Sequence, residues 1–252
     1  MRELLLLALP GIPEIVPGSD LAETLIAAIG RAGKTLQAGD VIVVAQKVIS
    51  KVEGRQCRLS DVQPSPRALD LAEKVDKDPR LVELILRESR DVVRFKPGVL
   101  IVEHRLGFVT AGAGIDQSNV PGGEDIVLLL PEDPDASARR LRHGMYDMCG
   151  VEVGVVINDS FGRAWRNGVI GCAIGVAGMP ALIDMRGKPD REGRPLRVTQ
   201  IAAADELAAA ASLVMGQAAE GSPAVLARGF PYAGQTGAAA DLVRPRAEDL
   251  FR

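Results

Sequence analysis

The sequence predicts an α+β fold with mixed or antiparallel sheets and packed helices. Three observations carry that prediction. Strand-like and helix-like segments alternate, but without the regular βαβ rhythm of a parallel, doubly wound sheet. Apolar residues make up 47% and charged residues 25% of the 252, the balance of an ordinary globular protein. No repeat period runs through the chain. Aromatic residues are only 3%, so the core is predicted to be aliphatic.

The elements follow in order. The opening run Leu4-Leu5-Leu6-Leu7-Ala8-Leu9 is short for a leader, has Glu3 beside Arg2, and lacks a small-residue cleavage site. It is predicted to be a buried strand. Asp20 and Glu23 form a relaxed capping box, and Leu21, Leu25, Ala28 and Ile29 recur at helical spacing, with Gly33 as the stop. Val41 to Ala45 is a β-branched run that reads as a buried strand. Residues 66–90 read as helical in two pieces, the second opened by Asp78-Pro79. Val99–Val102 and Leu106–Thr110 read as two strands joined by a polar turn.

A strand near Ile126–Leu130 and a helix near Asp135–Met148 come next. Strand Val153–Ile157 leads into a Gly-rich loop over 158–168. An apolar small-residue run (Ile170–Gly178), a polar loop (Arg186–Pro195) and a strand near Leu196–Ala202 follow. A helix opened by Asp205-Glu206 runs to about Met215, and 223–228 reads as a final strand. From Gly234 the chain is predicted to be a weakly packed tail. The expected organisation is a domain over 1–230, either single or two intimate subdomains, and a tail over 231–252.

Composition removes several function classes. Lys plus Arg is 30 and Asp plus Glu 33, a net charge of −3, which argues against a nucleic-acid partner. No run approaches the roughly 18 uncharged apolar residues of a membrane span. The three cysteines, Cys57, Cys149 and Cys172, are scattered, as expected in a reducing cytoplasm. They read as unreactive thiols, with Cys149 and Cys172 buried. His104 and His143 lack partners at metal-ligand spacing and read as structural or surface residues. The Walker, dinucleotide, nucleophile-elbow and zinc-protease fingerprints are absent.

Two glycine-rich stretches hold the candidate chemistry. In Gly114-Ile115-Asp116-Gln117-Ser118-Asn119, glycines let backbone N–H groups approach phosphate, and Asp116 suits Mg²⁺ or Mn²⁺. A plain turn reads equally well there. In Asp159-Ser160-Phe161-Gly162-Arg163-Ala164-Trp165-Arg166-Asn167-Gly168, an acid ends a buried strand. Ser160 adds a hydroxyl, while Arg163 and Arg166 suit phosphate or carboxylate. Trp165 reads as a packing residue. Lys51 is a candidate point charge for phosphate. From the residues alone the reading stops at an enzyme handling metal and phosphate.

The same loops carry a resemblance. Gly11-Ile12-Pro13-Glu14-Ile15, Gln46 to Arg55, Gly114 to Val120, Asp159 to Gly168 and Leu213-Val214-Met215-Gly216-Gln217 occur in this order. Together they closely resemble the coenzyme F420:L-glutamate ligases, over roughly residues 9–230. Five ordered motifs are far more specific than one glycine pattern. The resemblance implies an intertwined α+β homodimer. It also implies GTP-dependent addition of L-glutamate to the deazaflavin precursor F420-0, with two divalent cations (Mn²⁺ or Mg²⁺) and K⁺.

By motif it implies Asp116, Asp159, Ser160 and Gln217 as metal ligands. Asp116, Asp159, Arg163 and Arg166 become the catalytic set. Ile12, Pro13, Glu14, Ile15, Gln46, Lys51, Asn119, Met215, Gly216, Gln217, Ala218, Ala219, Glu220, Gly221 and Ser222 become nucleotide contacts. The chain departs from many relatives at Gln217, where they carry Glu, and from some at Gln46, where they carry a small hydroxyl residue. The 22 residues after Phe230 are too few for the second domain some relatives carry, so a stand-alone ligase is expected. The alternatives are a metal-dependent phosphatase or kinase acting on a small acidic metabolite, and a non-catalytic nucleotide-binding scaffold.

Overall fold

The structure, a computed structural model, describes residues 3–118, 123–231 and 236–250. In chain order the elements begin with β1 (Leu5–Ala8), α1 (Leu21–Arg31), β2 (Val41–Ala45), α2 (Gln46–Val52) and β3 (Gln56–Arg58). Next come α3 (Pro66–Val75), α4 (Pro79–Arg87), β4 (Ser89–Lys96), β5 (Val99–His104), β6 (Val109–Ala111) and β7 (Ile126–Leu128). The chain then forms α5 (Pro134–Cys149), β8 (Gly154–Arg163), β9 (Arg166–Ala177), β10 (Ile183–Asp184), β11 (Gln200–Ile201), α6 (Ala203–Met215) and β12 (Ala224–Arg228). The class is α+β with mixed and antiparallel sheets, as the sequence predicts.

Local chemistry sets many of these bounds. The Asp20 carboxylate accepts the Glu23 N–H at 2.9 Å and opens α1. Asp78 accepts the Arg80 N–H at 2.8 Å, with Pro79 as the first helical residue of α4. Gly150 ends α5 in the left-handed conformation.

The central sheet has the order β1-β12-β2-β8-β9. Only β2 and β8 pair in parallel. The strand period of two sorts the side chains. Ile42, Val44, Val155, Ile157 and Leu226 pack toward α1 and α5, whereas Val41, Val43, Val156 and Val225 pack toward α6. Each such aliphatic side chain contributes roughly 1.5–3 kcal/mol on burial. Gly175 lets the start of α5 cross β9 closely, since a Cβ there would lie 2.5 Å from the Pro134 carbonyl oxygen. Between β2 and β8 the chain makes a separate apolar cluster from α3, α4, β5 and Val127. Parallel strands need a long return connection, and here that connection carries Asp116.

Several expectations are corrected. The Gly-rich loop over 158–168 is the outer half of a long β8–β9 hairpin. Trp165 is not a packing residue: it lies in the hairpin turn, 81% exposed. The opening strand is a half-buried edge with Leu5 exposed. The strand near 196–202 shortens to Gln200–Ile201. Cys149 is exposed because it is the last residue of α5, beyond the buried positions that end at Met145. The expected loose tail packs. Its Ala239 is buried and donates its N–H to Asp135 at 2.9 Å, and Arg246 reaches Asp91 at 3.2 Å. Helix α2 and strand β4 were not expected at all. Among the described residues, no helix is long and apolar enough to cross a membrane.

Candidate active site

The carboxyl ends of β2 and β8 lie side by side, with Ala45 paired to Asn158. The next residues on each strand therefore open onto one place. Gln46 and Lys47 begin α2, and Asp159 and Ser160 continue β8. Asp116 comes from the long connection between these strands. Its N–H and C=O bond to Leu128, both at 2.9 Å, which fixes the backbone.

The Asp116 side chain is then held from both sides. Lys47 Nζ lies 2.7 Å from Oδ1, and Gln46 Nε2 donates a short hydrogen bond to Oδ2. Gln46 is buried and satisfied, because its Oε1 accepts the Ser50 hydroxyl at 2.9 Å. Lys47 also donates to the Ser118 carbonyl at 3.1 Å. Asp159 accepts the Ser160 N–H at 2.8 Å. Burial, and then the nearby Asp116 carboxylate, push Asp159 up to about 7 against the weaker pull of that N–H and of Lys47.

Alternation along β8 sends its neighbours apart. Ser160 Oγ donates to Gln217 Oε1 at 2.8 Å. Asn158, on the same face as Ser160, donates to Ser212 Oγ at 3.1 Å. The strand thus divides two oxygen-rich places, Asp116 with Asp159 and Ser160 with Gln217.

Gln217 rides on a tight loop after α6. Gly216 has φ +77°, and a Cβ there would meet Glu220 Cδ at 2.2 Å. Backbone N–H groups, including that of Ala218 at 2.7 Å, hold the Glu220 carboxyl below its usual range. Across the opening, Lys51 Nζ lies 2.6 Å from Glu14 Oε1.

These segments enclose a cleft of about 690 Å³. Ile12, Pro13, Glu14, Ile15, Gln46, Lys51, Asp159, Ser160, Met215, Gly216, Gln217, Ala218, Ala219, Glu220, Gly221 and Ser222 all line it. Asp116 joins through its bonds to Gln46 and Lys47. Arg163 and Arg166 stand at the hairpin tip, outside the cleft lining. Asn119 lies outside the described residues. Lys47 is the residue that sequence reading passed over. Its one signal is position, the second residue of a helix that follows a buried strand directly.

A profile described as F420-0:gamma-glutamyl ligase matches residues 11–229. The chain belongs to the F420-0:gamma-glutamyl ligase family. Relatives of this ligase family extend over nearly the whole chain. A coenzyme F420:L-glutamate ligase of Methanothermobacter thermautotrophicus is 46% identical, covering 98% of each chain. One from Methanopyrus kandleri is 48% identical over 95% of this chain and 94% of its own. A third, from Archaeoglobus fulgidus, is 43% identical over 96% and 94%. The F420-0:gamma-glutamyl ligase match begins at Gly11 and ends at Gly229, so it takes in every segment that lines the cleft.

Proposed function

We propose that this chain adds L-glutamate to F420-0, with GTP supplying the energy, through an acyl-phosphate intermediate. One observation carries the reading. Four stretches far apart in sequence line a single cleft, and a fifth brings Asp116 to Gln46 and Lys47 at its edge, in a chain of the glutamyl-ligase family.

The residues fit divalent cations. Among the described residues no three His, Cys, Asp or Glu side chains cluster as a complete metal site. The donors are two carboxylates, a hydroxyl and an amide oxygen, all hard ligands suited to Mg²⁺ or Mn²⁺. Phosphate oxygens of the nucleotide would complete such a set. Burial, and then the Asp116 carboxylate, push Asp159 up, and a bound cation would relieve both. Bound there, the cations would neutralise charge on phosphate and substrate. Asp116 and Asp159 would hold one, and Ser160 and Gln217 the other. K⁺ and a homodimer belong to the same reading, as does a cytoplasmic location.

A carboxylate is a poor acyl donor because its leaving group would be oxide. In the proposed reaction its oxygen attacks the γ-phosphorus of GTP, and the bond to GDP breaks. The amine of glutamate then attacks the carbonyl carbon, phosphate leaves, and the nitrogen gives up a proton. Lys47 and Lys51 supply point charges for the phosphates. The 216–222 loop lines the cleft beside them. Arg163 and Arg166 remain to hold the acidic acceptor.

Purified protein incubated with GTP, Mn²⁺, glutamate and F420-0 is expected to shift the product mass by one or more glutamyl units. GTP hydrolysis that needs no amine, with no mass shift, would instead favour a phosphatase or kinase. Asp116→Asn with Asp159→Asn is expected to abolish turnover while leaving the circular-dichroism spectrum unchanged.

A further inference from the structure

Gln46 and Ser50 stand one turn apart on α2, both almost fully buried. The Ser50 hydroxyl donates to Gln46 Oε1 at 2.9 Å, and Gln46 Nε2 donates to Asp116 Oδ2. Gln46 lines the cleft, whereas Ser50 does not. The two bonds therefore run as a relay from the core to a carboxylate of the site.

The direction of this relay matters. A glutamine side chain ends in an acceptor and a donor of nearly the same shape. The Asp116 carboxylate only accepts, so the amide must meet it with its nitrogen. Turned round, the amide would set Oε1 against Oδ2, two acceptors together. In the arrangement that serves Asp116, Oε1 points into the core and needs a donor there. Ser50 supplies that donor. Without it a buried acceptor would be left unpaired, and the arrangement that holds Asp116 would lose its support.

Packing does not ask for serine at this position. The neighbouring Val48 and Ile49 join an aliphatic core. A buried hydroxyl is costly unless it is bonded, and alanine is the better helix former. A helical serine can donate to the carbonyl four residues back, but this one donates to the side chain there. The backbone of Asp116 is already fixed by its bonds to Leu128. What remains free is the rotation of its carboxylate. Lys47 holds one oxygen at 2.7 Å, and the buried Gln46 amide holds the other.

We propose that Ser50 is a positioning residue: its hydroxyl orients the Gln46 amide, which keeps the Asp116 carboxylate turned to receive a divalent cation. The assignment rests on the metal-dependent ligase reading above and adds to it a residue that touches neither metal nor substrate.

The test titrates Mn²⁺ into the protein at fixed GDP, with the paramagnetic resonance signal of the free ion as the readout. Ser50→Ala is expected to raise the Mn²⁺ Kd about tenfold, the loss typical of groups that orient a metal ligand. Its lost turnover should return at high Mn²⁺. Ser50→Cys keeps only a weak donor and should fall between Ser50→Ala and wild type. Gln46→Met removes the amide. Adding Ser50→Ala to it should change the Mn²⁺ Kd by less than about twofold, because the hydroxyl then has nothing to orient.

A Mn²⁺ Kd in Ser50→Ala within about twofold of wild type would overturn the assignment. Full additivity of Ser50→Ala and Gln46→Met would overturn it too, since that marks two independent structural losses. Should Ser50→Ala lose the circular-dichroism spectrum of the fold, Ser50→Cys is read by the same limit. Wild-type protein that binds Mn²⁺ yet adds no glutamate to F420-0 overturns the ligase reading alone, so the two failures are told apart.

Discussion

The ammonium of Lys47 lies 2.7 Å from the carboxylate of Asp116, joining the first turn of α2 to the connection between β2 and β8. Both groups are about three-quarters buried, so water screens the contact only in part. Lys47 has two tasks in the proposed site, fixing the Asp116 rotamer and offering positive charge to phosphate. Lys47→Met is therefore expected to lower kcat by 10- to 100-fold, in line with about 1.5–3 kcal/mol for a charge-assisted contact. Steady-state assay at saturating GTP checks this, and a rate within threefold of wild type would remove Lys47 from the site.

Gly216 cannot carry a side chain. Its φ is +77° and the space a Cβ needs is filled by Glu220. Gly216→Ala is expected to open the 216–222 loop and pull Gln217 from Ser160. The measured effect should be a rise of tenfold or more in the Kd for GDP. Tm should fall by only a few degrees, since the loop is exposed.

Acid stability is governed by a cluster away from the cleft. Glu88 lies 3.1 Å from Arg55 Nη2 and 3.0 Å from Arg105 Nε, beside buried His104. Burial alone would raise Glu88, but His104, Arg105 and Arg55 win and hold it at about 2. A depressed carboxylate stabilises the fold fully above its unfolded value of 4.5 and loses that contribution as pH falls toward 2. The amount is roughly 3 kcal/mol at 1.4 per unit. Burial keeps His104 neutral, so its loss begins earlier, as pH drops below its ordinary value of 6.5. Urea midpoints should fall steeply between pH 4.5 and 2. Glu88→Gln should be less stable at pH 7 and much flatter across that window.

The thiols should separate by environment. Burial, then Asp205 and Asp159, push Cys172 up to about 12, so little thiolate forms near neutrality. Cys149 is exposed. Maleimide at pH 7.5 is expected to label Cys149 within minutes and leave Cys172 unmodified until denaturant is added. Mass spectrometry of the digested protein reads both.

Much of the fold was legible because its signals are local. Strand β2 has the predicted bounds, since a β-branched run between a Gly-Asp turn and a polar residue has few alternatives. Helix α4 starts where Asp78-Pro79 requires. Strand β4 was not legible, because Ser89–Lys96 is half charged, mostly exposed and broken by register shifts. Helix α2 follows β2 without an intervening residue and has no side-chain cap, so nothing announces its start. The 239–242 turn read as tail because alanine-rich sequence carries no period, while its anchor, Asp135, is 104 residues away.

By itself the sequence determined the α+β class, most of the helices, the aliphatic core and the family, and it named many of the residues that line the cleft. Caps, periodicity and motifs depend on neighbours within a few positions, and a sequence records those directly. The tertiary structure decided which groups meet: Lys47 with Asp116, Asp159 beside a second carboxylate, Ser160 turned to Gln217 on the opposite face, Trp165 carried out to the solvent. Charge coupling and burial depend on distances of a few ångströms between distant segments. Only the parallel pairing of β2 with β8, across the long connection that bears Asp116, sets those distances.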